Sequence, residues 1–318
     1  MEKRMSLSDE DIVRAAQSIR AGGLVAFPTE TVYGLGANAL DATAVARIFA
    51  VKGRPATSPL IVHVPSIDMA RVIAAEWPAH AEKLGRQFWP GPLTVVVRKH
   101  QRIPDVVTAG LPTVAIRVPS HPVAQALLRE AGVPIAAPSA NRFTQLSPTT
   151  AEHVRAALGD AVDCILDGGP TTVGIESTVV SLAGDVPYLL RPGMIARQDI
   201  ERLIGACGAR ANGDRPPDEA HESPGQHPRH YCPRTRTLLL MDGNVPAGRG
   251  AYLFHSRPAQ SCQRNVEMPA SPEAYAAALY RTLHDLDGES LDWIAVEHPP
   301  DQPEWAAILD RLRRACGK

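Results

Sequence analysis

Lys52 and Arg54 stand two apart across a glycine and are stopped by Pro55, so one compact turn presents two cations. A guanidinium fork beside an ammonium point charge is what recognition of phosphate or carboxylate asks for. Alone, such a turn more readily describes a solvated basic loop. It does not stand alone. Upstream, Pro28-Thr29-Glu30-Thr31 offers hydroxyls and a carboxylate ahead of a glycine pair, Gly34 and Gly36, and downstream an apolar stretch ends at His63. Arg117 sits inside Val114-Ala115-Ile116-Arg117-Val118, where an arginine must be at an edge, on an exposed face, or paired with an anion. Pro138-Ser139-Ala140-Asn141 directly follows an apolar run, which puts Ser139 and Asn141 at a strand's carboxyl end. Ser and Asn also simply build turns. Gly174-Ile175-Glu176-Ser177-Thr178 again sets a glycine, a carboxylate and two hydroxyls before an apolar run, and Arg191-Pro192-Gly193 ends another with a cation. Hydroxyls, amides and the cations Lys52, Arg54, Arg117 and Arg191 together suit a phosphorylated, carboxylate-bearing ligand. His63 alone reads more readily as structural than as functional.

Positioning these groups requires strands that end near one sheet edge, and the periodicities supply them. Ser8 or Asp9 caps a first helix that Gly22-Gly23 ends. Strands are expected at 24–27, 60–64, 93–98, 113–118, 135–137 and 164–167, with a closing hairpin of 179–182 and 188–191. Helices are expected at 42–50, 69–88 (broken at Pro78), 122–131, 150–158 and 200–207. Without strict alternation and with several short connections, this predicts a mixed, twisted, open α/β sheet with helices packed on it. Composition changes at Gly208. Residues 208–235, rich in Pro, Gly and charge, read as a linker, and a smaller Rossmann-like α/β unit follows in 236–318. Its expected elements are strands at 237–241, 250–254 and 293–296 and helices at 272–286 and 304–316. The first, site-bearing unit is then 1–207.

The chain's 318 residues are 44% hydrophobic and 21% charged with a net charge of −1, an ordinary globular composition with no global electrostatic drive toward nucleic acid. A local basic face stays open. No apolar run is long enough to cross a bilayer, and the N-terminus lacks the apolar segment of a secretion signal, so a cytoplasmic protein is expected. Five scattered cysteines fit reduced thiols. His221, His227, His230 and Cys232 fall close together, but H-x-x-H-x-C is not a usual zinc spacing. The common nucleotide and hydrolase signatures are absent: G-x-x-x-x-G-K-[ST], G-x-G-x-x-G after a strand, H-E-x-x-H and G-x-S-x-G.

Taken together, the motifs resemble the YrdC/Sua5 family of threonylcarbamoyl-AMP synthases. The resemblance rests on Phe27-Pro28-Thr29-Glu30-Thr31-Val32-Tyr33-Gly34-Leu35, Lys52-Gly53-Arg54-Pro55, Pro59-Leu60-Ile61-Val62-His63 and Phe88-Trp89-Pro90-Gly91-Pro92-Leu93-Thr94. It continues in Pro138-Ser139-Ala140-Asn141, Glu176-Ser177-Thr178 and Leu190-Arg191-Pro192-Gly193, in the family's order. Ser223-Pro224-Gly225 and Arg229-His230-Tyr231, with the following α/β unit, look like the longer two-domain Sua5 form. The resemblance implies a YrdC-like sheet and a nucleotidyltransferase reaction joining L-threonine, bicarbonate and ATP into L-threonylcarbamoyladenylate and pyrophosphate. The product would feed a downstream threonylcarbamoyl-transferase complex for the t6A modification of tRNA, with weak tRNA contact possible and no membrane partner. By the same resemblance Thr31, His63, Arg117, Ala137 and Ser177 would hold threonine. Lys52, Arg54, Ser58, Thr113, Ser139, Asn141, Ser147, Arg191, His230 and Tyr231 would hold ATP, with Lys52 and Arg54 as the catalytic cations. Mg²⁺ would be held by the substrate's phosphates, without a protein metal site. His230 and Tyr231 would close over the nucleotide as part of a lid that Arg229 anchors.

Three positions depart from the family pattern. Ser58 replaces an Asn, Phe143-Thr144 replaces Ser-Gly, and Gln226-His227-Pro228 replaces Met-Lys-Tyr. Two other readings remain at this point: a carbamoyltransferase of the same fold using carbamoyl phosphate, and an RNA-binding module on the sheet face.

Overall fold

The computed structural model describes residues 7–209, 230–259, 261–262 and 264–317. Its first helix, α1 (Asp9–Arg20), begins where Ser8 accepts from the Asp11 amide while the Asp11 carboxylate reaches back to the Ser8 amide, a reciprocal cap with three acids in the first turn. Ile12, Ala15, Ala16 and Ile19 form its buried stripe. The chain then makes β1 (Val25–Pro28), β2 (Tyr33–Asn38), α2 (Ala42–Lys52), β3 (Ile61–His63), α3 (Ile67–Ile73), α4 (Ala79–Phe88), β4 (Leu93–Arg98) and α5 (Asp105–Thr108). It continues through β5 (Thr113–Arg117), α6 (Pro122–Ala131), β6 (Ile135–Ala136), α7 (Ala151–Leu158), β7 (Cys164–Ile165), β8 (Thr178–Ser181), β9 (Tyr188–Arg191), α8 (Arg197–Ile204) and β10 (Gly208–Ala209). The C-terminal unit comprises β11 (Arg236–Leu240), β12 (Gly250–Phe254), β13 (Arg264–Glu267), α9 (Pro272–Asp287), β14 (Trp293–Glu297) and α10 (Ala306–Ala315).

The first ten strands form one mixed sheet in the order β10-β9-β8-β4-β5-β3-β6-β2-β1-β7. Parallel pairs such as β3 with β5 and β4 with β8 alternate with antiparallel ones such as β4 with β5. One hydrophobic layer packs Val45, Ile48, Leu84, Ile200 and Ile204 against Val62, Val95, Val97 and Ile116. A second packs α1 against α6 through Ile12, Ile19, Leu127 and Leu128. The C-terminal sheet, β11-β14-β12-β13, is parallel throughout. Its core is continuous with the first unit: Val32, Leu146 and Ile175 pack with Tyr231, Tyr280, Ile308 and Leu312. Among the described residues no helix is long and apolar enough to cross a membrane.

The structure differs from the sequence expectation in four places besides the short α5, for which no helix was expected. The glycine-bearing stretch at 33–38, where no strand was expected, is an interior strand of the sheet, because its glycines serve packing rather than bending. A Cβ on Gly36 would lie 2.7 Å from both the Phe27 ring and Ile135. β13 was not expected; its Arg-Asn-Val-Glu sequence is polar because it is an exposed edge strand of the parallel sheet. β10 carries the large sheet two residues into the stretch read as linker. The helix expected at 200–207 starts earlier and stops at Gly205, whose φ of 82° lies in the left-handed region.

Candidate active site

Strand ends and loops converge on one cleft of about 520 Å³, its open mouth included. Its wall carries Thr31 after β1, Arg54 after α2, His63 ending β3, Arg117 ending β5, Ala137 and Ser139 after β6, Ser177 before β8, Arg191 ending β9, and His230 and Tyr231 leading into the C-terminal unit. These are residues the motifs singled out. The parallel register that pairs His63 with Arg117 places both strand ends side by side.

Arg117 is the centre of one half. It lies on an interior strand and is 3% exposed, so of the three settings open to it the chain uses the anion. Its Nη2 lies 2.8 Å from Glu30 Oε1. Its Nη1 donates to Thr31 Oγ1 at 2.8 Å and its Nε to the Gly91 carbonyl at 3.2 Å. Three of the guanidinium's five N–H groups are thus directed at protein atoms and two are not. Thr29 hydrogen-bonds Thr31 and donates to the Val32 carbonyl, which fixes the loop. His63 is pushed down to about 3, first by burial and then by Arg117, so its imidazole is neutral.

The other half is built on Arg54 and Arg191. Arg54 donates to the Ser58 carbonyl at 3.4 Å and the Pro59 carbonyl at 3.1 Å, and burial, with Arg191 adding, brings it down to about 10. It remains a cation at neutral pH. Ser58 thus acts toward Arg54 through its backbone, which any side chain would supply. Arg191 holds Ser177 twice, by Nε to its carbonyl at 3.0 Å and by Nη2 to its hydroxyl at 3.1 Å, while Ser177 also bonds Thr94 at 2.8 Å. Phe143, one of the departures, faces Arg54 at 5.9 Å and His230 edge-on at 6.0 Å. The Nδ1 atoms of His63 and His230 and the Tyr231 hydroxyl are buried on this wall without a hydrogen-bond partner among the described residues. Buried groups in that state are normally satisfied by water or ligand.

Five of the expected residues stand behind or beside the wall. Lys52 Nζ donates to the carbonyls of Ser139 and Asn141, so it braces their loop. Asn141 turns its amide to the Arg142 and Gln145 carbonyls. Ser58 contributes as described. Ser147 donates to Glu176 at 2.6 Å. Thr113 is half-buried at the far end of β5, on the face it shares with Ala115 and Arg117 by strand alternation. Arg229, His221 and His227 lie outside the described residues, and among the described ones no group of three or more His, Cys, Asp or Glu could hold a metal. Sequence reasoning left out Thr29 and Glu176, which line the cleft, and Glu30, which pairs with Arg117. All three stood inside the quoted motifs.

Behind Ser147, His284 on α9 bonds the Ser147 carbonyl at 3.1 Å and stacks on His153 of α7 at 3.8 Å. Burial first, then the facing His284, pushes His153 down to about 4; burial also lowers His284. Glu152, Arg281, Asp285 and Asp287 are the charged neighbours. Between the ordinary 6.5 and about 4 the unfolded chain binds more protons than the folded one, so stability is complete above pH 6.5 and declines as pH falls. The melting temperature is expected to drop by roughly 2–5 °C from pH 7 to pH 4.5 relative to His153→Gln, in thermal scans at constant ionic strength. Parallel curves for the two proteins would contradict it.

Residues 17–193 match the family of Sua5, YciO and YrdC proteins, described as "Telomere recombination", and residues 195–317 match the domain described as "Threonylcarbamoyl-AMP synthase, C-terminal domain". The chain is 41% identical to the threonylcarbamoyl-AMP synthase of Bacillus subtilis, over 98% of this chain and 95% of that protein. It is 40% identical to the enzyme of the same name from Pyrococcus abyssi, over 95% and 93%. A crystal structure of P. abyssi Sua5 complexed with L-threonine superposes with a TM-score of 0.90 at 39% identity, covering 99% of this chain and 96% of that one.

Proposed function

The chain belongs to the family of Sua5, YciO and YrdC proteins, in its two-domain Sua5 form, and from that membership we propose that it is an L-threonylcarbamoyladenylate synthase. Residues 1–207 are then the catalytic domain, 208–235 the connecting segment and 236–318 the C-terminal domain. The observation that carries the reading is the single cleft in which a carboxylate-binding arginine, Arg117, faces the cation pair Arg54 and Arg191.

In this reading threonine is the amino-acid ligand. The two remaining N–H groups of Arg117 take its carboxylate, and neutral His63, Thr31, Ser177 and the Ala137 backbone surround the rest. Bicarbonate and the amino group condense with loss of water to a carbamate. A carbamate oxygen then attacks the α-phosphorus of ATP and pyrophosphate leaves, which classes the enzyme as a nucleotidyltransferase. Such a transfer depends on placement and on positive charge at the phosphates more than on a general base. Arg54, Arg191 and Ser139 supply that charge and donor capacity, while Lys52 and Asn141 shape the loop. Magnesium enters as part of MgATP, on phosphate oxygens, and supplies charge neutralisation there. His230 and Tyr231 cap the nucleotide and exclude water from the labile mixed anhydride. The product is an activated acyl group, and the fitting consumer is a threonylcarbamoyl-transferase acting on tRNA.

Incubation with ATP, L-threonine and bicarbonate should release pyrophosphate only when threonine is present, with a threonylcarbamoyl-adenylate peak by mass spectrometry. Release that instead requires carbamoyl phosphate would replace this reading with a carbamoyltransferase.

A further inference from the structure

The cleft contains a carboxylate, Glu176, where the proposed ligand carries a triphosphate. An acid facing a polyanion is unfavourable unless something neutralises it. Two side chains of the C-terminal unit do so from behind. Arg311, on α10, is 0% exposed, and its Nε donates to Glu176 Oε2 at 2.7 Å. Tyr280, on α9, donates to the same oxygen at 3.1 Å. The other oxygen, Oε1, accepts from Ser147 at 2.6 Å, so one carboxylate joins both helices to the nucleotide side of the cleft.

Arg311 reaches further. Its Nη2 donates to the carbonyls of Glu176 at 3.3 Å and Pro192 at 3.1 Å. Those carbonyls belong to the residues immediately before Ser177 and immediately after Arg191, so a single guanidinium sets the spacing of the two segments that carry that pair. Its carbon also lies 5.3 Å from the centre of the Tyr231 ring, which stacks on Tyr280 at 5.8 Å. Asp310 accepts from Arg311 Nη1 at 2.6 Å and also pairs with Arg314 at 3.0 Å, so that with Glu176 two carboxylates face two guanidiniums. The close approach of the two units is built into the backbone: a Cβ on Gly174 would lie 2.4 Å from the Ala276 carbonyl of α9.

We propose that Arg311 is a positioning residue for ATP, assisted by Tyr280: it masks the charge of Glu176 from the phosphates and aligns Ser177 with Arg191. The C-terminal unit therefore backs the active-site wall, holding from behind the residues that line it, and is not an appended module. A purely adhesive role is a poor account, because buried ion pairs add little stability compared with apolar packing of the same volume. The proposal rests on the synthase reading, and its test keeps the two separable.

Steady-state kinetics and calorimetric titration with ATP would compare wild type, Arg311→Met, the double variant Glu176→Gln/Arg311→Met, and Tyr280→Phe, each checked by thermal melting. In Arg311→Met the KM and Kd for ATP should rise at least about tenfold while the KM for L-threonine stays within about threefold. The double variant has no charge left to mask but still lacks the guanidinium that spaces the Ser177 and Arg191 segments, so its ATP affinity should recover in part, to a value between Arg311→Met and wild type. Tyr280→Phe should raise the ATP KM by about threefold at unchanged melting temperature. A double variant as impaired as Arg311→Met, or equal rises for both substrates, would overturn the proposal. Should Arg311→Met not fold, an unchanged ATP Kd in Tyr280→Phe would do the same. If the wild type shows no threonine-dependent pyrophosphate release, the synthase reading fails, while the ATP titrations still decide the positioning role.

Discussion

Arg117→Met is expected to abolish L-threonine binding and to lower folding stability by about 3–5 kcal/mol, the usual cost of stripping one partner from a buried ion pair. Both consequences follow from one geometry. Arg117 and Glu30 are nearly inaccessible to water, with side chains 4% and 7% exposed, and lie 2.8 Å apart. Removing the guanidinium leaves the Glu30 carboxylate, among the described residues, with the Ser120 amide at 3.1 Å as its hydrogen-bond donor and deprives Thr31 and the Gly91 carbonyl of theirs. The stability and binding effects can be separated. The double variant Glu30→Gln/Arg117→Met removes both charges and should regain most of the lost stability in urea denaturation. It should not regain threonine binding, because no cation remains to receive the carboxylate; an affinity loss of at least about 100-fold is expected by calorimetry. Threonine affinity close to wild type in the double variant would show that Arg117 serves only to neutralise Glu30, and the carboxylate site would have to be sought elsewhere in the cleft.

That pair also marks how far the site could be read in advance. An arginine within an apolar strand demanded an anion, a requirement visible in the sequence. That the anion is Glu30, 87 positions upstream, required β5 to lie beside β3 with β1 close by. The loops at strand ends were legible because glycine, proline and short polar side chains have local reasons to be there. β2 was illegible because its glycines answer to Phe27 and Ile135, neighbours only in three dimensions. Arg311 and Tyr280 were illegible for a related reason. On paper Asp310, Arg311 and Arg314 form the charged stripe of an amphipathic helix, the usual mark of a solvated face. Here that stripe is buried against Glu176, 135 positions away. The C-terminal unit's share in the cleft is thus a property of docking, which no local periodicity encodes.

Lys52→Met should lower kcat/KM for ATP by at least about 100-fold while threonine affinity stays within a few-fold, and the route differs from the one a basic turn first suggests. Lys52 is the last residue of α2, held at its position by Gly53, whose φ of 62° ends the helix in the left-handed region. Lys52 is 2% exposed, and its ammonium is engaged by the carbonyls of Ser139 and Asn141. Burial, with Arg54 adding, lowers its pKa well below the ordinary lysine range. Methionine matches its length and supplies no donor, so two buried carbonyls lose their partner at about 1–3 kcal/mol each. The loop 138–145 is then free to move, and with it Ser139 and the Phe143 ring that faces Arg54. Amide hydrogen exchange should rise across 138–145 and remain unchanged across 29–33, on the threonine side. Lost ATP use with unchanged exchange in that loop would mean that the ammonium acts on the phosphates directly, and Lys52 would return to the role the basic turn alone proposes.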